Sequence, residues 1–490
     1  MKRLNEIATN FEFALFGNGN MPVERIVFDS RQVRKGDLFV ALRGTAHDGH
    51  IYIPEVIEKG VDCIVCEQLP EESPEGVCFL KVKDSHAAIG HLASNFYGNP
   101  SSKLELVGVT GTNGKTSIAT LLYQLFTKLG YQSGLLSTVR NLIGEVALDS
   151  THTTPDAVSL NKLLADMVDA GCKYAFMEVS SHAIDQRRIA GLQFRGGIFS
   201  NITHDHLDYH KTFDAYIKAK KQFFDELPSD AFALVNIDDK HGRVMVQNTR
   251  ARVLTYSINH VSDFKAKILE SHFDGTKILL NQSEVWTQLI GQFNVSNLLA
   301  IYGAASLLLE GDLEILPHLS ALKTVEGRFQ YLRSKHGVTA IVDYAHTPDA
   351  LLNVLSTINS IRKGNEQLIT VVGAGGNRDK TKRPVMAKIA VRESDRLILT
   401  SDNPRNENPQ SIIDDMMAGV ESSLHFKVLS ILDRREAIRA ACMMARPGDI
   451  LLVAGKGHEN YQEIMGVKIH FSDQEVISEI FMSNIPHKNA

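Results

Sequence analysis

Residues 104–116 read LELVGVTGTNGKT, and this stretch decides how the chain is read. An apolar run enters a glycine-rich turn, and a Lys-Thr pair opens the next segment. In that segment Ile118, Leu121, Leu122, Leu125, Phe126 and Leu129 fall on one helical stripe, and Gly130 supplies a stop. The predicted unit is strand, turn and helix. The first turn of such a helix has N–H groups without partners and the positive end of the helix dipole, which together hold a phosphate. Thr110, Gly111, Thr112, Asn113, Gly114, Lys115 and Thr116 are therefore candidate nucleotide-binding residues, with Lys115 reaching the β and γ phosphates and the Thr116 hydroxyl a Mg²⁺ ion. The strict phosphate-loop pattern asks for glycine where Val109 stands, with glycines here at 108 and 111 instead. An ordinary glycine-rich turn is the competing reading. Strand, loop, Lys-Thr and helix in one succession favour ATP or GTP.

Around this unit the chain has 490 residues, too many for one hydrophobic core, and its length suggests roughly three domains. We place them at 1–102, 103–329 and 330–490. The first contains short strands such as DLFVAL (37–42) and DCIVCE (62–67) and ends in the turn-rich SNFYGNPSS. Apolar residues make up 43% and charged residues 22%, with a net charge of −5, which gives no sign of nucleic-acid or membrane binding. No signal peptide and no apolar run of about 18 residues is evident, so a cytoplasmic location is expected. The five cysteines are odd in number and scattered, which argues against a disulfide framework. Cys63 and Cys66 form a C-x-x-C, but inside an apolar run that reads as a buried strand.

The third unit is the most regular. Four apolar strands (338–343, 367–372, 395–400 and 449–454) alternate with helical patterns over 349–361, 383–394 and 434–445. That alternation predicts right-handed crossovers and a mostly parallel sheet. Each strand runs into a polar or glycine-rich stretch: DYAHTP, GAGGNRDK, SDNPR and GKGHE. Open parallel sheets bind ligands beyond the carboxyl ends of their strands, so four such loops on one edge predict a site.

TGTNGKT is followed by HTTPD (152–156), MEVSSHAIDQRR (177–188), NITHDHLDYH (201–210), YIKAKK (216–221), GQFNVSN (291–297), VEGRF (325–329), VDYAHTPDAL (342–351), GAGGNRDKTKRP (373–384), DNPR (402–405) and AGKGHE (454–459). In this order the blocks span almost the whole chain, which resembles the Mur ligase family. The resemblance implies an α/β fold of three domains: an N-terminal UDP-substrate domain, a central P-loop ATPase domain with a parallel or mixed sheet, and a C-terminal Rossmann-like, doubly wound domain for the amino acid. It also implies a monomer acting on small molecules in peptidoglycan synthesis. In that chemistry ATP phosphorylates a carboxylate, an amine attacks the acyl phosphate, and an amide and phosphate result.

By motif position the resemblance gives Glu178, His206, Thr116 and Lys220 a metal role, with Lys220 carrying a CO₂-derived carbamate. Lys115, Lys220 and His206 become the catalytic candidates. From the residues alone, Lys218, Lys220 and Lys221 are equally good exposed cations on one helix. Ser30, Thr153, Thr154, Ser180, Gln186 and Arg188 match contacts to UDP-N-acetylmuramoyl-alanyl-glutamate. Asn294, Arg328 and Asp343 match positions near the adenine, phosphate and ribose of ATP. Arg378, Asp402, Asn403, Pro404, Arg405, Gly455 and Glu459 match an amino-acid site. A planar guanidinium at Arg405, with a second at Arg378, suits the extra carboxylate of meso-diaminopimelate better than it suits lysine. Glu459 is a candidate for the far ammonium, and pairing of Arg405 with Asp402 in a turn is the bland alternative. A folylpolyglutamate synthetase-like ligase is the neighbouring enzyme reading, but it would lack the DSR (29–31) and DNPR segments. A nucleotide switch has no need of four aligned ligand loops. An oxidoreductase fails on G-x-G-x-x-G spacing at Arg378.

Overall fold

The computed structural model describes residues 2–44, 47–148, 153–309 and 315–483. His152, the first residue of the HTTPD block, lies outside the described residues. Three large sheets follow one another along the chain. The first has five strands in the order Phe13–Phe16, Cys78–Val82, Cys63–Cys66, Asp37–Val40 and Arg25–Val27, parallel except for the first pair. The CIVC run is its middle strand and is buried throughout. Desolvation pushes the Cys63 thiol up to about 12 and Cys66 to about 11, so both are protonated core side chains.

The central sheet has eleven strands. Its middle is parallel, with Glu105–Thr110 between Tyr174–Glu178 and Gly196–Phe199. Buried on both faces, these strands read as continuous apolar runs, which is why the sequence exposes them. Antiparallel strands close both edges: Asn141–Ile143 and Val146–Leu148 on one side, Gly275–Leu280 and Ser283–Thr287 on the other. The helix Lys115–Lys128 buries Ile118, Leu121, Leu122, Leu125 and Phe126 against this sheet, the stripe expected from its spacing.

The third sheet runs Gln330–Arg333, Thr339–Asp343, Ile450–Ala454, Leu368–Val372, Arg396–Leu399 and Val428–Ser430, parallel apart from the first strand. Separate apolar clusters cover its two faces, so it is doubly wound as the resemblance implied. A fully buried Arg434–Asp473 pair, with two 2.7 Å hydrogen bonds, fixes the helix Asp473–Met482 to it. Among the described residues no helix is long and apolar enough to cross a membrane.

Candidate active site

The parallel register sends the carboxyl ends of three central strands to one place, and the edge of the third sheet faces it. Between them lies a cavity of about 1190 Å³. The phosphate loop forms part of its wall. Gly111 and Gly114 have φ of 150° and 90°, conformations that favour glycine. A Cβ at Gly111 would overlap Ser200 Oγ, and one at Gly114 would lie 2.7 Å from Asn297 Oδ1. The loop rests on the end of the neighbouring strand. Asn113 N–H donates to Asn201 Oδ1 (2.9 Å), Ser200 Oγ donates to Asn113 O (2.6 Å), and Thr112 N–H donates to Asn201 O (2.8 Å). Lys115 is half-buried and folds back to donate to the carbonyls of Gly111 (2.9 Å) and Thr112 (2.8 Å). Burial holds its pKa below the ordinary lysine value, against the pull of Glu178 and Asp205.

The central-domain metal candidates converge here. Glu178 ends its strand 1% exposed, and its Oε1 accepts the Thr138 N–H at 2.7 Å. Lys220 is also 1% exposed. Its Nζ donates to Gly111 O at 2.8 Å and lies 4.8 Å from the centre of the Tyr216 ring. The helix Phe213–Asp225 thus separates its three lysines: Lys218 is exposed, Lys221 pairs with Asp225 at 2.6 Å, and Lys220 points inward. Desolvation, with Lys115 nearby, drives the Lys220 amine well below the ordinary lysine value. His206 adopts a left-handed conformation (φ 56°) at the start of a short turn. Burial lowers its pKa to about 3, opposed by Asp205 3.4 Å away, which leaves a neutral imidazole with a free lone pair. Thr116 Oγ1 accepts from Arg328 Nη2 at 3.2 Å.

The hydroxyl and carboxylate donors suit a hard cation such as Mg²⁺, with the imidazole a borderline ligand beside them. Among the described residues no three His, Cys, Asp or Glu side chains form a cage by themselves. A cation between Glu178 and His206 would thus draw on the Thr116 hydroxyl and on a further anionic group.

Thr153, Thr154, Ser180, Gln186 and Arg188 form one hydrogen-bonded patch. Arg188 donates to Thr154 O (2.8 Å) and twice to Gln186 Oε1 (3.0 and 2.6 Å). Thr154 Oγ1 donates to Glu178 O (2.8 Å), and Thr153 Oγ1 accepts from Thr138 Oγ1 (3.1 Å). All but Gln186 line the cavity. Ser30 sits apart in the first domain, 9% exposed, its carbonyl held by Lys59 Nζ at 2.9 Å. Asp343 and Arg328 reach the cavity wall, and the Arg328 guanidinium lies over the Tyr344 ring at 4.4 Å with its Nε buried and unpaired. Asn294 does not reach it. Its amide turns back to Ile290 O (2.8 Å), and Gln292, Phe293 and Asn297 line the wall instead.

In the third domain Arg378 is exposed and lines the same cavity as Lys115. Arg405 does not line it. It lies behind the 375–378 loop, donating from Nη1 to Gly376 O at 2.8 Å, while Gly376 N–H donates to Asn403 O at 2.9 Å. Arg405 pairs with Glu463 (3.3 Å), so the turn pairing with Asp402 does not form. Pro404 O crowds Gly376 and accepts from Glu407 N–H (3.0 Å). Glu459 Oε2 accepts from Asn403 Nδ2 (2.7 Å) and from the buried Lys456 (3.1 Å). A Cβ at Gly455 would lie 2.6 Å from Asp402 Oδ2, a close approach that glycine permits. Across the domain boundary Asn113 Nδ2 donates to Asp349 Oδ2 at 2.9 Å, which ties the phosphate loop to the helix Pro348–Ile361.

Ser200, Asn201, Tyr216, Lys456 and Glu463 are the residues that sequence reasoning missed. Asn201 directly follows the strand run GGIFS, and that position was the available signal. Lys456 stands inside GKGHE, but a lysine gives no warning that it will be buried. Glu463 has no signal.

Three family models match the chain: Mur ligase family, catalytic domain, over residues 22–97; Mur ligase middle domain over 109–305; and Mur ligase, glutamate ligase domain, over 327–457. The UDP-N-acetylmuramoyl-L-alanyl-D-glutamate–2,6-diaminopimelate ligase of Bacteroides fragilis is 58% identical over 480 residues, covering 98% of this chain and 99% of that protein. A solved structure of a ligase of that same description matches with a TM-score of 0.69 and 31% identity, covering 98% of each chain. The folylpolyglutamate synthase of Mycobacterium tuberculosis, solved with ADP and AMPPCP, shares the fold at a TM-score of 0.60 and 16% identity. That match covers 75% of this chain and 92% of the synthase.

Proposed function

The chain belongs to the Mur ligase family, and on that premise we propose that it is an ATP-dependent amide ligase of peptidoglycan synthesis. It joins meso-diaminopimelate to the D-glutamate of UDP-N-acetylmuramoyl-L-alanyl-D-glutamate and releases ADP and phosphate. The reading is carried by one observation: Lys115, Glu178, His206, Lys220, Arg188 and Arg378 all line one cavity.

ATP enters as substrate, its phosphates on the N–H groups of the 110–116 loop. Lys115 exchanges its two carbonyl partners for phosphate oxygens, and Arg328 adds a second cation beside Thr116. Asp343 is in reach of the ribose side. The Thr153–Thr154–Ser180 patch, braced by Arg188, orients the dipeptide, and Ser30 with the division 1–102 serves its uridine end. An oxygen of the dipeptide carboxylate attacks the γ-phosphorus and ADP departs. The amine then attacks the acyl carbon, and phosphate leaves with that oxygen. Arg378 and Arg405 hold the far carboxylate of the amino acid, and Asp402, Asn403 and Glu459 shape the ammonium side. Closure of the 330–490 domain on 103–329 brings the two halves together.

Thr116, Glu178 and His206 would hold Mg²⁺, which when bound neutralises charge on phosphate and carboxylate. We assign to Lys220 the carbamate formed when its amine nitrogen bonds CO₂ and loses a proton. What supports this is a buried amine, its basicity lowered by desolvation, that lines one cavity with Glu178 and His206. Five buried free cysteines agree with a reducing compartment, and we place the enzyme in the cytoplasm as a monomer. The test is phosphate release from ATP, Mg²⁺ and UDP-N-acetylmuramoyl-L-alanyl-D-glutamate with either diaminopimelate or lysine. Release that depends on diaminopimelate is expected. Release independent of any amino acid, or a preference for lysine, would overturn the reading.

A further inference from the structure

Arg405 owes its conformation to a segment outside every one of the sequence motifs. Its φ is 51°, in the left-handed region that a side chain rarely adopts, so something must hold it there. The strand Tyr461–Ile464, the first arm of a hairpin with Val467–His470, does so along its length. Gln462 Nε2 donates to Asp402 O (2.7 Å), Glu463 N–H donates to Asn403 Oδ1 (2.9 Å), Arg405 N–H donates to Glu463 O (3.0 Å), and Met465 N–H donates to Arg405 O (2.8 Å). The hairpin is thus the mould of the DNPR turn.

Glu463 also reaches the side chain. Its Oε2 lies 3.3 Å from Arg405 Nε, while Arg405 Nη1 is held by Gly376 O at 2.8 Å. These two anchors fix the plane of the guanidinium. Among the described residues nothing takes Nη2, which keeps its hydrogens for a carboxylate. Neither partner is exposed: the side chains of Arg405 and Glu463 keep 20% and 25% of their accessible surface. A pair this shielded is coupled more strongly than a solvated one.

We infer that Glu463 is a positioning residue for the acceptor amino acid: by holding Arg405 Nε, it aims the open guanidinium face at the far carboxylate of diaminopimelate. This rests on the assignment of Arg405 to that carboxylate. Removing Glu463 frees the guanidinium to rotate and raises the KM for diaminopimelate without touching the chemical step.

The test uses the full chain with Glu463→Ala, Glu463→Gln, Arg405→Ala and the Arg405→Ala/Glu463→Ala double variant, titrated with each substrate in the phosphate-release assay. Glu463→Ala is expected to raise the KM for diaminopimelate about tenfold, leaving kcat and the KM for ATP unchanged. Glu463→Gln keeps the length of the side chain but not the charge of the ion pair, and is expected to show most of that loss. In the Arg405→Ala background Glu463→Ala should add nothing, since its effect travels through Arg405. A silent Glu463→Ala beside a strongly impaired Arg405→Ala would overturn the inference and leave the function standing. An Arg405→Ala variant with an unchanged KM for diaminopimelate would instead overturn the assignment beneath it. A rise in all KM values together, or equal losses in both backgrounds, would mark a general folding role and also overturn the inference.

Discussion

Lys220 Nζ donates a 2.8 Å hydrogen bond to the carbonyl oxygen of Gly111, so a buried lysine of the helix Phe213–Asp225 touches the phosphate loop from beneath. Lys115 approaches the same carbonyl from above at 2.9 Å. Two amines on one oxygen repel each other when both are charged. That repulsion adds to desolvation in lowering the pKa of Lys220.

A buried Lys220 that reacts with CO₂ predicts a specific rescue. Lys220→Ala should lower kcat by about 100-fold, the scale of a lost metal-orienting group. Short-chain carboxylates such as formate or acetate should restore part of the activity by supplying the missing anion. Full activity in the variant, or impaired activity that no carboxylate restores, would count against the carbamate.

The loop itself tolerates no side chain at 111. Ser200 Oγ occupies the space a Cβ would need, and the backbone of Asn201 lies 3.0 Å away. Gly111→Ala should therefore weaken nucleotide binding by roughly tenfold or more, because the N–H groups must be displaced from the phosphates. Titration with a fluorescent ATP analogue reads this directly. An unchanged affinity would mean that phosphate is held elsewhere.

Much of this arrangement is legible in sequence, for identifiable reasons. Strands buried on both faces must be apolar end to end, so LELVGV, VTAIVD, QLITVV, DRLILT and DILLVA announce themselves, as does the ligand edge beyond them. The antiparallel strands Phe264–His272, Gly275–Leu280 and Ser283–Thr287 are solvated on one face and mix polar with apolar residues, so they leave a weaker trace. The hairpin at 461–470 is almost wholly polar or exposed and leaves none, although it dictates the backbone of Arg405. The motif marked Asn294 for a ligand role, whereas local packing spends its amide on Ile290. The residues alone left open which lysine of YIKAKK turns inward; only the resemblance pointed to Lys220.

Amino-acid choice should track Arg405. Arg405→Ala removes the fork on which a second carboxylate depends, at a loss on the order of 100-fold in kcat/KM for diaminopimelate. Turnover with lysine, which has no such carboxylate, should change far less. Competition assays with the two amino acids measure the ratio. Parallel losses for both would assign Arg405 to the shared end of the substrate.

Asp343 gives the apo protein a pH signature. Burial at the end of its strand pushes its carboxyl up to about 6, against the pull of Arg328 and the Phe329 N–H. The unfolded chain titrates near the ordinary value, so from roughly pH 4 to pH 6 only the folded form holds the proton. The stability this site contributes is thus full below about pH 4 and is lost as pH rises through about 6. Relative to Asp343→Asn, the parent protein should lose about 2 kcal/mol between pH 4 and pH 7. Chemical denaturation of both at each pH checks this, and a constant gap would contradict it.

The central claim is that a triphosphate held at Lys115 activates the dipeptide carboxylate for capture by the amine. It is tested most directly with ¹⁸O in the free carboxylate of the D-glutamate and mass analysis of the released phosphate. Transfer of one ¹⁸O to each phosphate formed during turnover with diaminopimelate is the predicted result. Unlabelled phosphate, with the departing ¹⁸O recovered in water, would contradict the account.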